Sequence, residues 1–124
     1  MSESSTKLLG RWGEAKAADY LAGNGYKITG MGYCSRFGEI DVIAENRKFI
    51  VFVEVKTRKS DRFTAAREAV DRKKQERLIS TAQLWMSENV TDKQPRFDVI
   101  EVYAPDGMKT EHPVINQIEN AFEL

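Results

Sequence analysis

The sequence predicts an α/β protein with a mixed central sheet flanked by helices, and three observations lead there. Two segments carry apolar residues at helical spacing, and between them lie three short β-prone stretches. A further β-rich run follows the second helical segment, so the elements read α-β-β-β-α-β with no repeat and no linker. A chain of 124 residues buries roughly two-thirds of its unfolded surface, enough for one sheet with helices packed on it but too little for two cores. One domain over residues 1–124 is the expectation, with the small polar residues 1–6 frayed.

The first helix runs from Lys7 to Asn24. Ala17, Ala18, Leu21 and Ala22 form its apolar stripe, and Asn24-Gly25 supplies a left-handed stop. The β-prone stretches are Tyr26–Tyr33, Phe37–Ala44 and Phe49–Lys56. The last two are joined by the hairpin-sized connection Glu45–Lys48, as in an antiparallel meander. A second helix starts near Thr64 or Ala65 and runs to about Asn89, with Ala66, Val70, Leu78, Ala82 and Trp85 at helical spacing. Phe97–Tyr103 is strand-like, Pro105–Gly107 is a turn, and the tail from Val114 to Phe122 is compatible with a short helix.

Composition excludes several functions. Lys+Arg and Asp+Glu both number 19, so a surface that grips polyanions everywhere is ruled out. A local patch is not: basic residues outnumber acidic ones nine to four between Lys56 and Arg77, whereas Phe97–Leu124 is acidic. A single cysteine, Cys34, and a single histidine, His112, exclude disulfide frameworks, Cys-rich zinc sites and HExxH chemistry. The longest apolar run, Phe49–Val53, is far short of the ~20 residues that cross a bilayer. The N-terminus lacks the apolar core of a signal peptide, and a cytoplasmic location is the expectation. Catalysis would therefore rest on carboxylates and lysines.

Such residues stand where a sheet should be apolar. In Phe49–Lys56 side chains alternate, so Glu54 and Lys56 share a face with Ile50 and Phe52 while Phe49, Val51, Val53 and Val55 take the other. Both faces are apolar up to Val53, which marks a central strand covered on both sides. Asp41 likewise interrupts Ile40, Val42 and Ile43, and simple hairpin pairing across a four-residue loop sets it opposite Phe52, with Glu54 on the diagonal. Glu14 lies one turn before Ala17 and Ala18, on the stripe that should face the sheet. Gly10 and Gly13 beside it allow close backbone approach.

Three carboxylates together in a half-buried pocket require a proton or a cation. Oxygen ligands suit Mg²⁺ or Mn²⁺, and a lysine beside such an ion can orient water or stabilise charge on a phosphate in phosphodiester hydrolysis. A salt bridge at the sheet rim needs the same residue types. From one strand alone that plainer reading has the advantage, whereas the combined helix Glu, strand Asp and Glu-x-Lys favours a site.

At these residues the sequence resembles the PD-(D/E)xK nuclease superfamily, and within it the YraN-like family of small proteins related to Holliday-junction resolvases. The resemblance rests on Gly13–Ala18 with Tyr20-Leu21, Gly25-Tyr26, Gly38–Ile43, Phe52–Arg58, Val70 with Lys74, Arg77, Leu78 and Ala82, and Phe97–Val99. It implies a restriction-endonuclease-like core. Asp41 and Glu54 would be metal ligands, helped by the Val55 carbonyl; Lys56 would be the catalytic lysine and Glu14 an accessory ligand or water-holder. Ile40 stands where the superfamily often has proline. Lys74 looks like the auxiliary basic residue, on the inward Val70/Leu78 stripe.

The loop after Lys56 offers Arg58, Lys59 and Arg62, with Lys74 and Arg77 beyond, as nucleic-acid contacts, against the plainer reading of a solvated loop and helix face. Trp12, Trp85, Tyr20 and Phe37 read as core or interface anchors, Phe63 and Tyr33 as looser candidates for base stacking, and Cys34 and His112 as incidental. Glu39 joins the site or pairs with Arg36. Two functions follow: a Mg²⁺- or Mn²⁺-dependent endonuclease acting on DNA, branched or flapped forms included, or an inactive nucleic-acid-binding or adaptor module on the same fold. Neither involves a membrane, and homodimerisation is left open.

Overall fold

The computed structural model describes residues 5–59 and 70–123. Their order is α1 (Ser5–Gly23), β1 (Lys27–Ser35), β2 (Gly38–Glu45), β3 (Phe49–Arg58), α2 (Arg72–Glu88), β4 (Gln94–Tyr103) and β5 (Val114–Phe122), with one 3₁₀ turn at Gly107–Lys109. The result is a mixed α/β fold: five strands in the order β1-β2-β3-β4-β5, with two helices. β3 and β4 are parallel, joined through α2, and the other neighbours are antiparallel.

The helices cover opposite faces, as the two-sided apolar pattern of β3 requires. Val51 and Val53 pack with Ala17 and Leu21 of α1, together with Val42, Ile100 and Val102. Ile50 and Phe52 pack with Leu78, Ala82 and Trp85 of α2, and with Phe97 and Val99. The buried stripe of α1 is Gly13, Ala17 and Leu21, at four-residue spacing. This rotates the expected stripe, since Ala22 is exposed and Ala18 is half-buried. Of the two glycines, Gly13 alone serves close approach: a Cβ there would collide with the Thr57 hydroxyl, whereas one on Gly10 would have nothing within 4 Å. The helix stops as expected. Gly25 adopts φ 89°, and the amides of Gly25 and Tyr26 return to the carbonyls of Ala22 and Leu21 at 3.3 and 3.0 Å.

Three expectations are corrected. The tail is strand β5, not a helix. Ile115 and Ile118 reach opposite cores, and pairing with β4 satisfies an edge that a helix would have left without a backbone partner. The β2–β3 connection is tighter than four residues, because Glu45 already pairs with Ile50 and the Asn46 amide donates to the Phe49 carbonyl at 3.0 Å. Asn46 Oδ1 accepts from the amides of Lys48 and Phe49, closing the turn. Finally, α2 begins at Arg72, with Asp71 as its N-cap accepting from the Lys74 amide at 2.8 Å. The start expected at Thr64 or Ala65, and with it Ala66, lies outside the described residues, as do Arg62 and Phe63.

Replacing Gly13 by alanine should destabilise the protein by about 1–3 kcal/mol through overpacking against Thr57. The same change at Gly10 should stabilise it by about 0.5–1 kcal/mol through helix propensity. Urea unfolding of the two variants checks both signs.

Candidate active site

The site forms where β2 leaves β3. Their register ends at Val42↔Val53, two residues offset from the expected pairing, so one step further Asp41 lies across from Glu54 rather than Phe52. A two-residue offset leaves every side chain on its predicted face, because the strand period is two. Beyond that point Asp41 Oδ2, in place of a β2 carbonyl, accepts the Val55 amide at 2.8 Å. β2 also rolls over here: Val42 packs on the α1 side, yet Ile40, two residues back, packs on the α2 side. On β1 the pairing to β2 skips Gly32 between Met31↔Val42 and Tyr33↔Ile40, and Gly32 has φ 61°. A left-handed residue in a strand is where glycine is needed.

Asp41 and Glu54 therefore line one cavity of about 320 Å³, with Gly38, Glu39, Lys74, Arg77 and Leu78. The hairpin wall is pinned to α2 by Ser35, whose Oγ lies 3.3 Å from Thr81 Oγ1 and accepts the Phe37 amide at 3.0 Å. Glu54 is buried, and its Oε1 meets Lys74 Nζ at 2.5 Å and Lys56 Nζ at 3.4 Å. Lys74 thus points inward, as its place on the helix stripe predicts. Among the described residues, no three Asp, Glu, His or Cys side chains converge as a ready-made metal site. Glu54 is instead bound by both lysines.

Electrostatics mark the cavity. Burial pushes the Asp41 carboxyl up to about 8, assisted by the negative charge of Glu54, Glu14 and Glu39 and opposed by the Val55 amide bond. Glu14 stands half-buried on α1 beside Gly13, and its carboxyl is raised by burial first and then by Glu39 and Glu54. Lys56 is lowered by burial, against the raising effect of Glu54. Lys74 is raised because its bond to Glu54 and the surrounding acids outweigh its burial. The charges of Glu39 and Glu54 thus act on both Asp41 and Glu14, two of the residues that sequence reasoning placed together with Glu54.

The nucleic-acid candidates separate. Arg77 lines the cavity, Lys74 is committed to Glu54, and Arg58 Nε binds Glu101 Oε2 at 3.2 Å. Lys59 is exposed, with its Cε beside Gly107. Trp85 is a core residue as expected, packing edge-on to Phe52, whereas Phe37 is 38% exposed at the β1–β2 turn, with the Arg36 guanidinium 4.9 Å from its ring. Tyr33 Oη is 2.7 Å from Glu88. Sequence reasoning missed Gly32 and Glu101; a glycine inside a β-prone run was the available signal for the first. A larger cavity of about 540 Å³ opens near Phe49 and Arg96, but Arg96 is already engaged by Asp98 and Tyr26 at 2.7–2.9 Å.

A mixed α/β fold with acids and lysines gathered at a parting of two central strands defines the class of protein. The chain belongs to the uncharacterised protein family UPF0102, whose model matches residues 13–102, in agreement with the YraN-like resemblance. It is 45% identical over 124 residues to a UPF0102 protein of Caldanaerobacter subterraneus, covering 98% of this chain and 100% of the relative. It is 40% identical to one from Persephonella marina, covering 94% and 95%, and 42% identical to one from Trichlorobacter lovleyi, covering 95% and 92%. Among the described residues, no helix is long and apolar enough to cross a membrane.

The raised Asp41 carboxyl has a signed consequence. Between its ordinary value of 3.8 and about 8, the folded protein holds a proton that the unfolded chain has released. The Asp41 contribution to stability should therefore fall as pH rises from about 4 to about 8. Urea midpoints across that range should show a steeper decline for the parent than for Asp41→Asn; parallel curves would contradict the raised carboxyl.

Proposed function

We propose that this protein is a divalent-metal-dependent nuclease of the PD-(D/E)xK superfamily, hydrolysing phosphodiester bonds in DNA. The observation that carries the reading is the meeting of Asp41 and Glu54 across adjacent strands at one cavity, with Lys56 and Lys74 on Glu54. The donor set fits a hard cation. It offers carboxylate oxygens, and Asp41 resists ionising beside the neighbouring acids, a penalty that an added positive charge relieves. Asp41 and Glu54 would hold Mg²⁺ or Mn²⁺ with the Val55 carbonyl, and Glu14 would serve as an accessory ligand or water-holder. The ion would supply Lewis-acid stabilisation of the phosphate.

The protein's own groups would do the rest. Lys56, two residues beyond Glu54 on the same strand face, would orient the attacking water and stabilise charge on the phosphate. Lys74 would hold the Glu54 carboxylate in place at the cavity. Arg77 on the wall would meet the nucleic-acid backbone, with Lys59 and Arg58 further along it. The ion pairs on Glu54 favour a second reading, a non-catalytic nucleic-acid-binding or adaptor module in which the lysines permanently neutralise the acid.

The test is a metal-titrated cleavage screen over single-stranded, duplex, flapped and four-way DNA. Activity should need Mg²⁺ or Mn²⁺ and fall at least about a hundredfold in Asp41→Asn, which keeps an acceptor for the Val55 amide, and in Lys56→Ala, both checked as folded proteins. Binding that survives chelation and Lys56→Ala, with no turnover of any form, would favour the second reading.

A further inference from the structure

Glu101 is a buried acid with no part in the metal site. It lies on β4 in register with Lys56, and it is 1% exposed. By alternation from Phe97 and Val99, it faces the α2 side of the sheet, the side of Glu54 and Lys56. Its ion-pair partner among the described residues is Arg58, the next residue after Lys56 on that face of β3. Arg58 is 30% exposed, so the pair runs from the protein interior to its surface.

The strand end beneath it is fixed. The Ala104 amide donates to the Arg58 carbonyl at 2.7 Å, and Arg58 pairs with Tyr103 across the parallel ladder. A carboxylate so buried is tolerated when a cation meets it, and a lysine would answer the charge as well as an arginine. Arginine differs in its planar fork. Bonding through Nε sets the plane, and among the described residues no hydrogen bond engages the terminal N–H donors, whose fork has the geometry that suits a phosphate.

We propose that Arg58 is a phosphate clamp for the nucleotide next to the cleaved bond, and that Glu101 is its positioning residue. This rests on the nuclease reading above for its substrate, and it adds the group that orients the DNA backbone beside Lys56. Strand geometry puts Arg58 about 6.5–7 Å beyond Lys56, a backbone step away rather than at the reacting phosphate. Glu101 touches no substrate and acts only through the arginine.

The experiment measures DNA binding in chelator by fluorescence anisotropy from 50 to 200 mM salt, and kcat and KM with Mg²⁺ or Mn²⁺, for Arg58→Ala, Arg58→Lys, Glu101→Gln and the double variants. Arg58→Ala should raise Kd and KM about tenfold. It should also lower the salt slope by about 0.7–0.9, the loss of one phosphate contact. Arg58→Lys should keep the slope yet lose affinity. Glu101→Gln should raise KM several-fold with kcat near the parent value, and should change nothing further in either Arg58 background. Additive effects, or a Glu101→Gln protein altered in stability alone, would overturn the proposal. Arg58-dependent binding without cleavage would sink the nuclease reading and, with it, the clamp's place beside a cleaved bond, leaving only the Arg58 phosphate contact and its support by Glu101. Cleavage unaffected by both variants would do the reverse, and a parent protein that binds no DNA would end both.

Discussion

The hydrogen bond from the Val55 amide to the Asp41 carboxylate is the constraint on which the candidate site depends. It lets β2 depart from the central strand without leaving a buried amide unsatisfied, at the point where Glu54 begins the polar end of β3. The other edge of β3 stays paired with β4 from Phe49 to Arg58, so the strand remains rigid while one side opens. Gly32 accommodates the change on β1 with φ 61°, and Ser35 and Thr81 tie the hairpin end to α2. One side-chain acceptor thus turns a regular sheet into a sheet with a cleft.

That cleft is electrostatically unfinished. Glu54 is satisfied by two ammonium groups, whereas Asp41 has one amide bond, and burial together with its like-charged neighbours holds its carboxyl up. In a low-dielectric pocket such an imbalance makes the site responsive to an arriving cation, because the same addition relieves repulsion among several acids at once. The neutral overall charge conceals this, since charges are segregated by depth as well as along the chain.

Depth also reinterprets the acidic C-terminal region. Asp98 is fully buried, and it accepts from Arg96 Nε at 2.9 Å, Gln117 Nε2 at 2.9 Å and the Asn120 amide at 3.0 Å. This knot locks the β4–β5 irregularity near Phe97 and Val99 at the end of the sheet remote from Lys56. Arg96 is further clasped by the rings of Tyr26 and Phe49, 5.7 and 4.7 Å away. Two acids of the tail, Asp98 and Glu101, are therefore structural partners of arginines rather than a solvated patch.

Periodicity alone determined the two helices, the four strands before the tail, the two-sided burial of β3, and the sharing of one face by Glu54 and Lys56. All follow from local spacing, where 3.6 and 2.0 residues per repeat leave little freedom. Asp41 stood out because an acid is a poor choice for a buried strand, and Gly13 stood out beside a predicted helix stripe. Tertiary structure decided the rest. The true β2–β3 register depended on Asn46 closing a tighter turn, and the strand identity of Val114–Phe122 depended on an open β4 edge that only the assembled sheet presents. Glu101 could be separated from the other tail acids only once β4 lay beside β3, because its partner Arg58 is distant in sequence and near in space.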